Sequence, residues 1–208
     1  MTKRLPPFKL YVEGGGSGGY LRTECRRTFS EFLKKSGIKS GLPRVVACGS
    51  RSNAYQDFCT AIGNGELAIL LVDSECAVFD KSVWDHLKNR KGDGWTRPDK
   101  IKDDQCHLMI QCMESWFLAD IDAVSGFYGK SFNAGRLPKN QPEEVAKEDL
   151  FNALNAAIGD GDGYKKGRDS FRILEKIDTE KVCEKCPSAK AFIGAVKKYS
   201  KKRMIGKS

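Results

Sequence analysis

The chain lacks any run of about 18 apolar residues, so no segment is long enough to cross a bilayer as a helix. Its start, Met1-Thr-Lys-Arg-Leu-Pro-Pro, has no apolar core of the signal-peptide kind, and a soluble cytoplasmic protein is the expectation. No Gly-Lys-Ser/Thr completes a P-loop, since Tyr20 directly follows the glycine-rich segment, and no internal repeat occurs at solenoid periods. A disulfide framework is not expected either. Of the eight cysteines most lie inside apolar segments (Cys48, Cys59, Cys76, Cys106, Cys112), where a reduced thiol behaves as a small hydrophobe. What remains is a chain of 208 residues, enough for one good core or one domain with an appendage.

Net charge is +9, and its distribution matters more than its size. Tyr164 to Ser208 holds 14 Lys/Arg against 5 Asp/Glu, which leaves 22 of each sign elsewhere (36 minus 14 and 27 minus 5). The whole excess is C-terminal. A basic tail on a neutral core suits a polyanion, with salt-sensitive affinity if that polyanion is nucleic acid; a solvated helix face is the plainer reading.

Hydrophobic patterning gives an alternation of strand and helix. Phe8 to Val12 reads as a short buried strand, broken by Gly14 to Gly19 before an amphipathic stretch from Tyr20 to Lys35. Arg44 to Gly49 is a second short apolar run, after which Ser52 caps a helix through Ile62 with Tyr55, Phe58, Cys59 and Ile62 inward. Leu67 to Val72 is the most continuous apolar run, as expected of a strand covered on both faces. Val83 to Asp104 is a polar excursion on the site side in which Trp84, Leu87 and Trp95 dock. His107 to Met113 then resumes strand character, with helix periodicity from Glu114 to about Tyr128. Beyond Pro142 the pattern is helical: Phe151, Leu154 and Ile158 share a face, as do Phe171, Leu174 and Ile177, then Phe192, Val196 and Tyr199. The expected fold is α/β, with a small, mainly parallel four-stranded sheet flanked by helices over residues 1–130. A helical basic extension, 131–208, packs on the same unit.

Two apolar strands end on acids. Glu13 closes Phe8-Lys-Leu-Tyr-Val-Glu13, and Asp73 and Glu75 close Leu67-Ala-Ile-Leu-Leu-Val-Asp73-Ser-Glu75. In a parallel sheet the carboxyl ends of neighbouring strands open on one crevice, where such acids converge. Carboxylates so crowded repel and take up protons unless a hard cation neutralises them, which points to Mg2+ or Mn2+. Glu114, after the fourth strand, either completes the cluster or serves the first turn of its helix.

Gly14-Gly-Gly16-Ser-Gly-Gly19 fits G-x-G-x-x-G between a strand and a helix, the setting of a dinucleotide loop. The acid that would hold a ribose is missing, since Cys48-Gly-Ser-Arg51 stands there, although Arg51 suits a 2'-phosphate. Gly15, Gly16 and Ser17 can equally present N–H groups to a nucleic-acid phosphate, or form a plain linker. Arg51 is a candidate clamp on a scissile phosphate. Lys165, Lys166 and Arg168 form a basic knot suited to the backbone, with Lys166 the candidate nearest the chemistry. Gly159-Asp-Gly-Asp-Gly163 hints at calcium but lacks the downstream glutamate of a calcium-binding hand, and reads as an interhelical loop. His107 reads as structural. Cys183-Glu-Lys-Cys186 has zinc-knuckle spacing with no second Cys/His pair close by, and reads as a helix end.

An apolar strand, Glu13-Gly14 and a later strand ending acid-x-acid together resemble the Toprim fold of primases, topoisomerases and overcoming-lysogenization-defect nucleases. Tyr11-Val-Glu-Gly-Gly-Gly, Val46-Ala-Cys-Gly-Ser-Arg-Ser-Asn-Ala-Tyr, Leu71-Val-Asp-Ser-Glu and His107-Leu-Met-Ile-Gln-Cys-Met-Glu-Ser-Trp-Phe-Leu-Ala-Asp carry a closer likeness. They make most of the chain similar to a bacterial Toprim-related family, often encoded beside an ATPase and associated with anti-phage defence. The resemblance implies a general acid/base or metal-ligand role for Glu13 and Mg2+ at Asp73 and Glu75. It departs from the pattern in Glu75, where Toprim has aspartate, and in the glycines after Glu13. The expected function is Mg2+-dependent cleavage of nucleic acid, DNA or RNA, beside an ATPase partner. The alternatives are a non-catalytic subunit regulating that ATPase and a nucleotide-cofactor enzyme.

Overall fold

The computed structural model describes residues 8–159 and 163–205, with the backbone alone for 202–205. The leading segment and the aspartates of the Gly159 to Gly163 loop lie outside the described residues. Four strands, β1 (Lys9–Val12), β2 (Arg44–Ala47), β3 (Ala68–Asp73) and β4 (Cys106–Met109), form one all-parallel sheet in the order β2-β1-β3-β4. Two helices, α1 (Gly19–Lys35) and α2 (Arg51–Gly63), make the crossovers between the first three strands.

Every residue of β3 is buried, so its unbroken apolar run is the mark of a strand covered on both faces. Leu10, Val12, Ile69 and Leu71 point to one face, into a core that takes in α1 and continues to the chain's C-terminal helices. Tyr11, Leu70 and Val72 point to the other, where α2 and α3 (Val83–Asn89) pack. The polar stretch after β3 thus holds a helix, and Trp84, Leu87 and Trp95 are all buried there.

After β4 the chain makes a 3-10 segment, Met113–Ala119, before α4 (Ile121–Tyr128), in place of the single helix expected. Trp116 stacks on Phe32 of α1 at 5.1 Å, anchoring that segment under the first crossover. The remaining helices are α5 (Lys147–Ile158), α6 (Arg168–Leu174), α7 (Thr179–Lys185) and α8 (Pro187–Ile205). Phe171, Leu174, Ile177, Phe192, Val196 and Tyr199 are buried in the same core as β1 and β3. On α5, Leu150, Leu154 and Ile158 are buried while Phe151 is half-buried.

Two local expectations are corrected. Ser50, not Ser52, caps α2, its side chain accepting from the Asn53 N–H at 3.2 Å; Ala54, Phe58 and Ala61 face inward, with Tyr55, Cys59 and Ile62 at the core's rim. Cys76 is exposed, because the chain leaves the sheet after Asp73 and the apolar run ends with it. No helix among the described residues is long and apolar enough to cross a membrane.

Candidate metal centre

The chain leaves β1 toward β2 and leaves β3 toward β4, in opposite directions along the sheet. Between two adjacent parallel strands that diverge in this way a crevice opens at their carboxyl ends. Glu13 follows β1 there, Asp73 ends β3, and Glu75 stands two residues further. One carboxylate oxygen from each lies within 4.8 Å of the others.

Each acid is held by the backbone of its neighbour. Glu13 Oε2 accepts the Asp73 N–H at 3.1 Å, and Asp73 Oδ1 accepts the Met113 N–H at 2.9 Å. Glu75 sits in the left-handed region at φ 68°, its N–H donating to the Gln111 carbonyl at 2.8 Å. For a residue with a Cβ that conformation costs about 1 kcal/mol or more, and pairing with the segment after β4 sustains it.

Two cations serve the three acids. Lys147, the first residue of α5, donates from Nζ to Asp73 Oδ2 at 3.3 Å and to Glu75 Oε2 at 2.8 Å. Arg51, the first residue of α2, reaches Glu13 Oε2 at 3.5 Å and also donates to the Asp73 carbonyl. Asp93 takes the other edge of its guanidinium, and Trp95 lies 5.0 Å beneath it. Arg51 is therefore a brace for the acids, with its donors committed.

Compensation is incomplete. Asp73 is only 6% exposed, and burial together with the charges of Glu13 and Glu114 pushes its carboxyl up to about 8. Burial also raises Glu13, against the pull of Arg51 and the Asp73 N–H. At Glu75 burial acts upward, but the hydrogen bond and charge of Lys147 outweigh it and hold the carboxyl below its usual range. Burial lowers Lys147, and its two acids more than restore it, so it stays protonated. A buried aspartate that keeps its proton near neutrality marks a site with fewer positive charges than its oxygens can use. Three such oxygens in reach of one another suit a hard divalent cation, and the triad can hold one.

Glu114 is 2% exposed and stands apart from that group. Its Oε1 accepts the Tyr164 hydroxyl at 2.8 Å and the Ser170 hydroxyl at 3.0 Å. It lines a cavity of about 310 Å³ together with Glu13, Asp73, Lys166, Gly167, Ser170 and Phe171.

The other candidates divide. Gly15 and Gly16 line the cavity and Lys166 faces it, whereas Ser17 is exposed outside it. Arg168 pairs with Asp169 at 3.1 Å, and the Lys165 backbone N–H donates to the same aspartate at 2.9 Å. His107 bonds the Asp104 carbonyl at 3.1 Å, with burial lowering its imidazole, in the structural role its position suggested. Cys186 is buried and Cys183 half-buried; among the described residues neither joins a metal-ligating group.

Sequence reasoning missed Lys147, Asp93, Tyr164 and Ser170. One signal was available for Lys147, because a cation on the first residue of a helix opposes the helix dipole and calls for a nearby acid.

The model of one family, Domain of unknown function (DUF4276), matches residues 12–197, and the chain belongs to that family. No curated protein and no solved structure matches it.

Proposed function

We propose that this protein is a Mg2+- or Mn2+-dependent nuclease, cleaving phosphodiesters of nucleic acid in the cytoplasm. The observation that carries the reading is the convergence of Glu13, Asp73 and Glu75 within 4.8 Å at the switch point of an all-parallel sheet. Acids at the ends of β1 and β3 are also the basis of the Toprim likeness, so kinship with that superfamily, an ATPase encoded nearby and a defence role belong to the same proposal.

A divalent ion held by Glu13, Asp73 and Glu75 would supply a water of lowered pKa and would neutralise charge on the transferring phosphorus. Asp73 gives up its proton when the ion binds, so binding strengthens as pH rises toward 8. Arg51 holds Glu13 and the Asp73 carbonyl in place. Lys147, paired with Asp73 and Glu75, stands where a bound cation would compete with it for both acids. Lys166 and the Gly15 and Gly16 N–H groups, which line the same cavity, meet the phosphate oxygens, while Tyr164 and Ser170 fix Glu114 beside the acid triad.

The Lys147 ion pairs favour one alternative: with a lysine already between two of the acids, the chain acts as a non-catalytic subunit of an ATPase. Calorimetric titration of Mn2+ into the wild type and Asp73→Asn separates the two. Binding lost in the variant, with Mn2+-dependent cleavage of DNA or RNA by the wild type alone, supports the nuclease; no binding to either leaves the subunit reading.

A further inference from the structure

A second pocket, of about 390 Å³, lies between α1 and β2, the free edge of the sheet. Arg22, Arg26 and Arg44 converge on it, with Asp57 the carboxylate in its lining. Arg22 and Arg26 stand one turn apart on α1, a spacing at which like charges repel unless an anion lies between them. Backbone donors add to the guanidiniums. The Arg44 and Cys48 N–H groups donate to β1, at 2.8 and 3.0 Å, so the alternation of a parallel strand turns the N–H groups of Val45 and Ala47, together with their carbonyls, outward to the free edge.

The donors select the ligand. All three cations are arginine, whose planar fork matches a phosphate's oxygens where lysine offers a point charge. A β2 of only four residues, opened by a charge, is the kind of edge that resists an added strand. That argues against an acidic peptide docking as a fifth strand.

The pocket also abuts the acid cavity. Arg22 Nε donates to the Gly16 carbonyl at 3.2 Å, and a Cβ at Gly15 would come within 2.9 Å of the Arg22 Cα. Gly14, Gly15 and Gly16 line the acid cavity on their other side. One layer of glycine backbone therefore separates Arg22, at one end of the pocket, from the acid cavity, while Arg44 opens β2 at the sheet's amino end. Only glycine allows it, since Gly14, Gly15 and Gly16 all have positive φ.

We propose that this pocket is a phosphodiester subsite, holding the nucleic-acid backbone that flanks the scissile linkage. The proposal rests on the nuclease reading. It requires Arg26→Ala/Arg44→Ala, which spares the loop-bracing Arg22, to bind labelled single-stranded DNA or RNA about tenfold more weakly at about 50 mM salt. The slope of log affinity against log salt becomes shallower by about 1.4, the loss of two phosphate contacts to a single strand. Fluorescence anisotropy with Ca2+ present measures both. Mn2+ titration stays unchanged, and Arg26→Lys/Arg44→Lys recovers part of the loss. Oligonucleotide binding by the variant equal to that of the wild type in strength and slope overturns the subsite and leaves the nuclease reading standing. No binding by the wild type to any oligonucleotide overturns both. Displacement of bound oligonucleotide by a polyglutamate peptide at lower concentration than by unlabelled oligonucleotide overturns the subsite in favour of a protein partner.

Discussion

The sheet and the helical segment beyond it keep carboxylates at the sheet's carboxyl edge in opposite ways. On the sheet side, Glu13, Asp73 and Glu75 share two cations, Arg51 and Lys147, that only partly compensate them. On the helical side, Glu114 is held by two hydroxyls, from Tyr164 and Ser170. An ion pair made by a lysine on a flexible stem can be exchanged for another cation. A carboxylate bonded by two hydroxyls fixed on packed elements has no such freedom. The sheet wall is thus built for exchange and the helical wall for position.

Asp73→Asn breaks this contrast most severely. It removes a central ligand, so Mn2+ binding falls by more than the roughly 10- to 100-fold typical of outer-shell changes. It also moves apoprotein stability, with a sign set by the raised carboxyl. The unfolded chain ionises Asp73 above about pH 4 while the folded one holds the proton to about 8, so ionisation erodes stability across that window. Asparagine escapes the loss. The melting temperature of the variant relative to wild type therefore climbs from pH 5 to pH 8, each unit of upward shift being worth about 1.4 kcal/mol.

Lys147→Met tests exchange directly. It leaves Asp73 and Glu75 without their cation, and the apoprotein should lose about 1–3 kcal/mol in denaturant unfolding at neutral pH. Mn2+, freed from competition, should bind about tenfold more tightly; weaker binding would show that the lysine assists the metal. Tyr164→Phe and Ser170→Ala each remove one hydroxyl from Glu114 and should cost about 1 kcal/mol, with Mn2+ affinity changing less than in Lys147→Met. Arg168→Ala removes an exposed arginine from Asp169, which keeps its bonds from the Lys165 N–H and the Tyr128 hydroxyl, and should cost no more than about 1 kcal/mol while Mn2+ binds normally.

The same division explains what could be read from the amino acids. The sheet wall was legible because a strand's apolar run has to stop at a charge where it leaves the core, and Glu13 and Asp73 do so. The parallel order followed from the strand-helix alternation. Lys147 opens α5, Ser170 lies on α6 and Tyr164 on the loop before it, and their reach depends on α5 and α6 docking, which no local period encodes. Asp93 was hidden likewise, in a turn between two glycines that only the burial of Trp95 brings back over Arg51. The knot at Lys165, Lys166 and Arg168 read as one cluster; the loop and α6 send its members different ways.

The hydrogen bond from the Asp73 N–H to the Glu13 side chain makes that carboxylate the last rung of the β1–β3 ladder. Glu13→Gln keeps an acceptor there, whereas Glu13→Ala leaves a buried amide open to solvent exchange. Amide hydrogen exchange at Asp73 should therefore quicken about tenfold or more in the alanine variant and little in the glutamine one, if the rung is worth the usual 1 kcal/mol or more. A residue with that second duty cannot be lost cheaply. The strand pair would begin to unzip at the end where the acids gather, so the sheet's own cohesion guards the acid.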